Sequence, residues 1–274
     1  MYHCGVSQRD TRILSGLCFV LLIAAPALAN SNLKPGPDAS VKSILDGDTV
    51  VLRMPVMGAV QVRLVGIQAP KLPLGRKKFP VWPLAAASKA LLAKLAGGQT
   101  LKLSFGGANM DRHGRLLAHL HRQDGTWVQG EILRRGMARV YSFPDNRASV
   151  ADMLALEQAA RDAKRGIWGL RYYAVRTTDD IGELTRLAGT FQLIAGRVAK
   201  AVKIKGTVYL NFGDDWRKDF TITLKSKTVR LFTKAGIDPV ALEGRVVRVR
   251  GWLKKYNGPL IEVSHPEQIE VIDR

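Results

Sequence analysis

The spacing of apolar and polar positions changes several times along the chain, and each change marks an element. Residues 41–52 and 60–66 are β-branched runs that meet near Met57-Gly58, which predicts strands. Pro83 opens a helical pattern over 84–95, with Leu91, Leu92 and Leu95 on one stripe and Lys89 and Lys94 off it; Gly97-Gly98 stops it. Alternation resumes at 101–105 and 116–121 and is followed by an Asp124-Gly125 turn. Helical patterns over 127–135, ended by Gly136, and over 148–164 complete this half. The C-terminal part repeats the rhythm. It predicts strands at 191–201, 208–212 and 220–224, a short helix at 228–235 closed by Gly236, and strands at 246–253 and 260–263 around Asn257-Gly258. Three strands, a helix and two strands is the order of an OB-type barrel, and the first unit follows much the same order. The expected fold class is therefore mainly β with α (α+β): one OB barrel followed by a second, small OB-like β-barrel.

The N-terminus has a different character. Arg9 and Arg12 precede an apolar stretch, 13–29, that closes on Ala27-Leu28-Ala29 before Asn30, the pattern of a cleavable secretory signal. The competing reading is an uncleaved membrane anchor, but the stretch is short for a spanning helix and Pro26 lies near its end. With 1–29 as a signal peptide, the expected mature chain is secreted or periplasmic and has no transmembrane anchor, since no comparable apolar run follows. Cleavage also removes Cys4 and Cys18, the two cysteines of the sequence, so disulfides do not hold the fold. Residues 30–40, rich in Pro, Gly and Ser, read as a linker, 41–170 as the first domain and 190–273 as the second. Residues 171–189 mix charge, Thr and Gly without period and read as a connector with one short helix.

Charge narrows the partners. The 274 residues carry 42 Lys+Arg against 23 Asp+Glu, a formal net charge of +19, and the surplus is spread over both halves. Such a field attracts polyanions and weakens with salt, and it exceeds what solubility alone requires. Nucleic acid, anionic lipid surfaces and acidic cell-wall polymers all qualify on charge. A hydrophobic content of 46% excludes wholesale disorder.

Five features occur in order: Asp46-Gly47-Asp48-Thr49, Arg63 in an R-L-V-G run ahead of Pro70, Asp111-Arg112-His113-Gly114-Arg115, the helix at 128–136, and Gly166-Ile167-Trp168. With them, residues 41–168 resemble the thermonuclease family, the domain type of staphylococcal nuclease. The resemblance implies a five-stranded OB barrel with helices. It also implies a phosphodiesterase site in which calcium and two arginines stabilise the charged transition state and a glutamate activates water. By position, Asp48 matches a calcium ligand, Asp46 the carboxylate beside it, and Arg63 and Arg115 the two phosphate clamps. The sequence departs from that pattern at Gln68, Ala69 and Lys71, where an active member of the family carries Asp, Thr and Glu. One calcium carboxylate is thus neutral, a hydroxyl is a methyl, and the position of the base holds a cation. Calcium takes six or more oxygens with high ligand charge, so Asp46 and Asp48 offer at most a weak calcium site. Lys71 at the base position acts as a base only with a strongly depressed pKa, which neighbouring aspartates oppose. Pairing with Asp46 and Asp48, or contact with phosphate, suits it better.

Three readings follow. The first is a module that binds nucleic acid or another phosphate-rich polymer through its arginines, with little or no calcium-dependent cleavage and no small-molecule cofactor. The second is a nuclease that uses another acid or base, with Asp111, His113 and Asp145 as candidates. The third is an envelope structural protein that binds acidic polymers. Taken singly, Arg63 and Arg115 read as ion-pair partners of Asp46 and Asp48; the joint pattern makes them clamps. His113 and Tyr141 are candidate substrate contacts, Tyr141 by stacking, although core packing explains it equally. His119 and His121 share a strand, but no Cys or acidic cluster joins them as metal ligands. Gly75-Arg76-Lys77-Lys78 reads as an exposed loop, and Trp216 as the aromatic of the second unit most suited to the surface.

Overall fold

The computed structural model describes residues 1–2 and 33–272; the signal peptide expected at 1–29 falls, apart from its first two residues, outside the described residues. The first unit contains β1 (Lys34–Asp46), β2 (Thr49–Val56), β3 (Ala59–Leu64), β4 (Ile67–Gln68), α1 (Ala85–Ala96), β5 (Thr100–Phe105), β6 (Leu116–His121), α2 (Val128–Arg134), β7 (Arg139–Val140) and α3 (Val150–Asp162). Its main strands close into a barrel in the order β1-β2-β3-β6-β5, with β3 and β6 parallel and the other neighbours antiparallel. Alternate residues point inward, so Val50, Leu52, Val62, Leu64, Leu101, Leu103, Leu116 and Leu120 form the core, and Leu92, Ile132 and Leu133 from the helices cover it.

Two sequence-based boundaries change here. Within the expected linker 30–40, the described part is strand: β1 begins at Lys34. Its first half pairs with β5, Ala39 opposite Leu101, and this pairing closes the barrel. Pro37 falls in a register shift between Pro35 and Asp38, the kind of ladder irregularity that accommodates proline. Residues 41–52 are likewise two strands, because the chain reverses at Gly47-Asp48 and pairs Asp46 with Thr49. Along β1 the pairing passes from β5 to β2 at Ser40-Val41.

The second unit contains β8 (Arg176–Thr177), α4 (Ile181–Arg186), β9 (Phe191–Arg197), β10 (Lys200–Ile204), β11 (Thr207–Asn211), β12 (Thr221–Leu224), α5 (Ser226–Lys234), β13 (Val246–Tyr256), β14 (Gly258–Val263) and β15 (Ile269–Val271). The sheet runs β10-β11-β12-β14-β13-β9-β8, with β15 also paired to β13. The single strand expected at 191–201 bends at Val198-Ala199: the Val198 N–H donates to Arg245 O at 2.9 Å and the Ala199 N–H to Asn211 O at 2.8 Å. With β9 and β10 taken as one bent strand, the sheet curls back on itself in the strand succession of the first barrel. The third and fifth strands (β12 and β14) are again parallel. The connector at 171–189 is part of this unit rather than a tether. β8 pairs with β9, and Leu184 of α4 is buried in the second core.

The two units share a seam. Ala160, Ile167, Trp168, Tyr173, Phe191 and Leu193 form an apolar cluster across it. Beside this cluster Glu157 of α3 and Arg250 of β13, both buried, pair at 2.9 and 3.0 Å. Glu157 also accepts from Arg161 and from the Val140 N–H, while Arg250 reaches Glu270 at 2.6 Å. Burial by itself would raise the Glu157 pKa; the two guanidinium groups lower it instead. Removing one partner strands a buried charge. Arg250→Ala is expected to lower unfolding stability in urea by about 3–5 kcal/mol, whereas the double variant Glu157→Gln with Arg250→Met should lose distinctly less.

Candidate functional site

The site starts at the β1–β2 reversal. Asp46 ends β1, and Gly47 sits where a Cβ would fall 2.1 Å from Ser88 Oγ and 2.7 Å from the Ala69 methyl, so only glycine lets α1 and the 65–71 segment close over the turn. Asp48 is fully buried. Its Oδ2 accepts from the Ala69 N–H at 2.7 Å, and the Asp46 carboxylate accepts from the Asp48 N–H at 3.1 Å. Lys71 supplies the matching charge. Its Nζ lies 2.7 Å from both Asp48 oxygens and 3.1 Å from Asp46 Oδ2. Burial pushes Asp48 upward, but the Arg63 and Lys71 charges outweigh it and hold its carboxyl well below the usual range. Asp46 is raised, first by burial and then by the Asp48 charge, with Lys71 opposing.

Arg63 belongs to the same network. Its guanidinium pairs with Asp48 at 3.2 Å and donates to the carbonyls of Leu64 at 2.7 Å, Ile67 at 2.6 Å and Asp48 at 3.3 Å. Both terminal nitrogens therefore brace the chain around Asp48. Gln68 points elsewhere: its carbonyl accepts from buried Arg139 at 2.7 and 3.0 Å, and Arg139 also donates to Phe191 O in the second unit at 3.0 Å.

Arg115 is held differently. In the 111–115 turn, Asp111 Oδ1 accepts from the N–H groups of His113 at 2.8 Å and Arg115 at 3.1 Å, and Oδ2 accepts from Arg115 Nε at 2.8 Å. Arg115 thus pairs with Asp111, not with Asp46 or Asp48. Burial would raise Asp111, but the hydrogen bonds from Arg115 and the turn leave it lowered, so it is held as an acceptor. A cavity of about 460 Å³ is lined by Arg63, Asp111, His113, Arg115, Tyr141, Phe143 and Asp145. The two arginines named from the sequence thus face one concavity, together with His113 and Tyr141. Asp46, Asp48 and Lys71 lie behind it, linked through Arg63. Tyr141 meets Phe143 edge-on at 5.0 Å. His119 is a core residue against Trp127, its pKa driven down to about 3 by burial and then by His121, and Gly75-Arg76-Lys77-Lys78 is exposed away from the cavity.

Comparison with known proteins places this geometry. The family model described as staphylococcal nuclease homologue matches residues 61–169. An endonuclease of Escherichia coli O157:H7, described as uncharacterized, is 31% identical over 128 residues, which cover 47% of this chain and 74% of that protein. The chain belongs to the staphylococcal nuclease homologue family. This member is also 31% identical over 163 residues to Protein ParB of Escherichia coli, with 54% of this chain and 78% of that protein covered. Endonuclease YhcR of Bacillus subtilis (strain 168) is 29% identical over 143 residues, 47% of this chain but 11% of that much longer protein. The family match at residues 61–169 falls within the first unit.

Calcium, which the family resemblance implies, does not fit the residues present. The focus of the two carboxylates holds an ammonium group at hydrogen-bond distance from three of their oxygens, and Gln68 is turned to Arg139. Among the described residues no group of three or more His, Cys, Asp or Glu side chains is gathered for a metal. Arg139 was not legible as part of this arrangement; its one sequence signal is a cation in an otherwise apolar β7 context.

Lys71→Met leaves two adjacent buried carboxylates without their ammonium partner. Stability at neutral pH is expected to fall by about 3 kcal/mol. Asp46, already raised, then rises further; an acid bound more tightly in the folded state gains stability as pH falls through its folded pKa. Urea titrations should accordingly show the variant recovering part of its loss as pH is lowered from neutral. The wild type should show a smaller gain of the same sign from Asp46 and then weaken at still lower pH, where the stability that the lowered Asp48 contributes is lost.

Proposed function

We propose that this protein is an exported nucleic-acid-binding member of its family that engages phosphates at the Arg115 cavity without calcium-dependent cleavage. The observation that carries the proposal is the position of Lys71 Nζ, 2.7 Å from both oxygens of Asp48, while Arg115 lies in the wall of a cavity with Tyr141. The carboxylates that a calcium mechanism requires already have their cation. The phosphate-facing side keeps a guanidinium, an exposed His113 beside Arg112, and aromatic rings. Arg63 acts here mainly as the brace between the two layers, and Arg115 as the contact to phosphate. A net charge of +19 supplies the long-range attraction, and the Arg9-to-Ala29 pattern supplies the reading of export.

A second reading, metal-independent phosphodiester hydrolysis, is favoured by one observation: His113 and Asp145 line the same cavity as Arg115 and are not engaged with Lys71. The endonuclease names of two relatives agree with it.

Fluorescence anisotropy with a labelled oligonucleotide tests the first reading. Arg115→Ala is expected to weaken binding about equally across sequences and to reduce the log–log salt slope by about 1. The same oligonucleotide should remain intact with calcium and with a chelator. Cleavage that needs calcium would overturn the proposal, and cleavage that persists in chelator and disappears in His113→Ala would replace it with the second reading.

A further inference from the structure

One strip of the second unit turns its side chains outward, away from the second core. On the outer face of β13, Trp252, Lys254 and Tyr256 are exposed; Leu253 between the first two is buried in the second core, and Lys255 at the strand's end is exposed as well. Trp252 is 46% exposed and Tyr256 is 73% exposed. The strip is continuous with the cavity of the first barrel. The Trp252 indole N–H donates to Tyr141 Oη at 2.9 Å, and Tyr141 is a cavity wall. Beyond that junction Lys254 and Tyr256 carry the line toward the β13–β14 hairpin, about 13 Å further at ~3.3 Å per residue. Glu262 of β14 accepts from Lys254 at 3.1 Å and from Lys225 at 2.9 Å, so two cations face this carboxylate.

Exposed rings alternating with an ammonium group, on a strand that leads away from a phosphate cavity, match what an unpaired strand offers: bases to stack and phosphates to neutralise. A duplex keeps its bases stacked on one another and cannot present them to such rings. We propose that Trp252, Lys254 and Tyr256 form a track for single-stranded nucleic acid, which enters the Arg115 cavity at one end and crosses the seam onto the second barrel at the other. This rests on the nucleic-acid reading above and specifies its substrate: a single strand longer than the cavity accommodates, held by both barrels at once.

The test compares a labelled dinucleotide, a single strand of about twelve nucleotides, and an abasic phosphodiester chain of the same length on the full chain. The wild type binds the longer strand more tightly than the dinucleotide, and Tyr256→Ala removes about 5-fold or more of that advantage, the weight of one stacked base. Tyr256→Phe, which keeps the ring, retains it, and Lys254→Gln lowers the salt slope for the longer strand. The track is overturned if Tyr256→Ala binds the longer strand as the wild type does, or if it loses as much on the abasic chain. The cavity reading then survives provided that Arg115→Ala still weakens the dinucleotide. If the wild type binds none of the three, both fall together.

Discussion

Two buried carboxylates at the tip of one hairpin must be matched by positive charge, and here the chain supplies that charge from its own side chains. Asp46 and Asp48 repel each other in a setting with little water, where like charges a few ångströms apart cost several kcal/mol. Lys71 answers both at once, and Arg63 adds a second cation at Asp48. The same contacts hold the 65–71 segment in place, because Ala69 donates to Asp48 and the Ile67 carbonyl accepts from Arg63. Fold and site therefore rest on a single electrostatic node, and a soluble cation has to displace a tethered one to enter it.

A second node, at the seam, gives the two barrels a fixed relation. Glu157 and Arg250 bury opposite charges where the helical side of the first unit meets β13 of the second. Arg139 ties the two units together: it holds Gln68 of the first and reaches the Phe191 carbonyl of β9 in the second. Its guanidinium also lies 4.6 Å from the Phe191 ring centroid. The chemistry of the first barrel is thus buttressed by the second. Tyr141 sits at the same junction, with a cavity on one side and Phe191 and Trp252 on the other.

Much of this was legible in the sequence where local rules decide the outcome. Periodicity gave α1, α2, α3 and α5 within a residue or two, and the strand–helix–strand order gave both barrels. Where long-range pairing decides, it failed. Pro35 and Pro37 signal a linker only to a reader who cannot see β5 waiting beside them, and nothing local in 191–201 marks the point where one strand changes neighbours. In the site, the aspartates, Lys71 and the 111–115 turn stood out because they fall at positions of the thermonuclease pattern, Lys71 as a departure from it. That Arg63 is braced against backbone carbonyls while Arg115 pairs with Asp111 depends on which surfaces meet in three dimensions. The Arg139–Gln68 and Glu157–Arg250 pairs join residues 71 and 93 positions apart and left no signal.

The most direct measurement on the Lys71 node is a calorimetric titration of the protein with calcium at neutral pH and moderate salt. With the ammonium group in possession of the Asp46 and Asp48 oxygens, no saturable binding is expected up to about 1 mM calcium, the weak limit of dedicated calcium sites. Saturable binding well below that concentration, lost in Asp48→Asn, would contradict the central claim that Lys71 is the cation of this site.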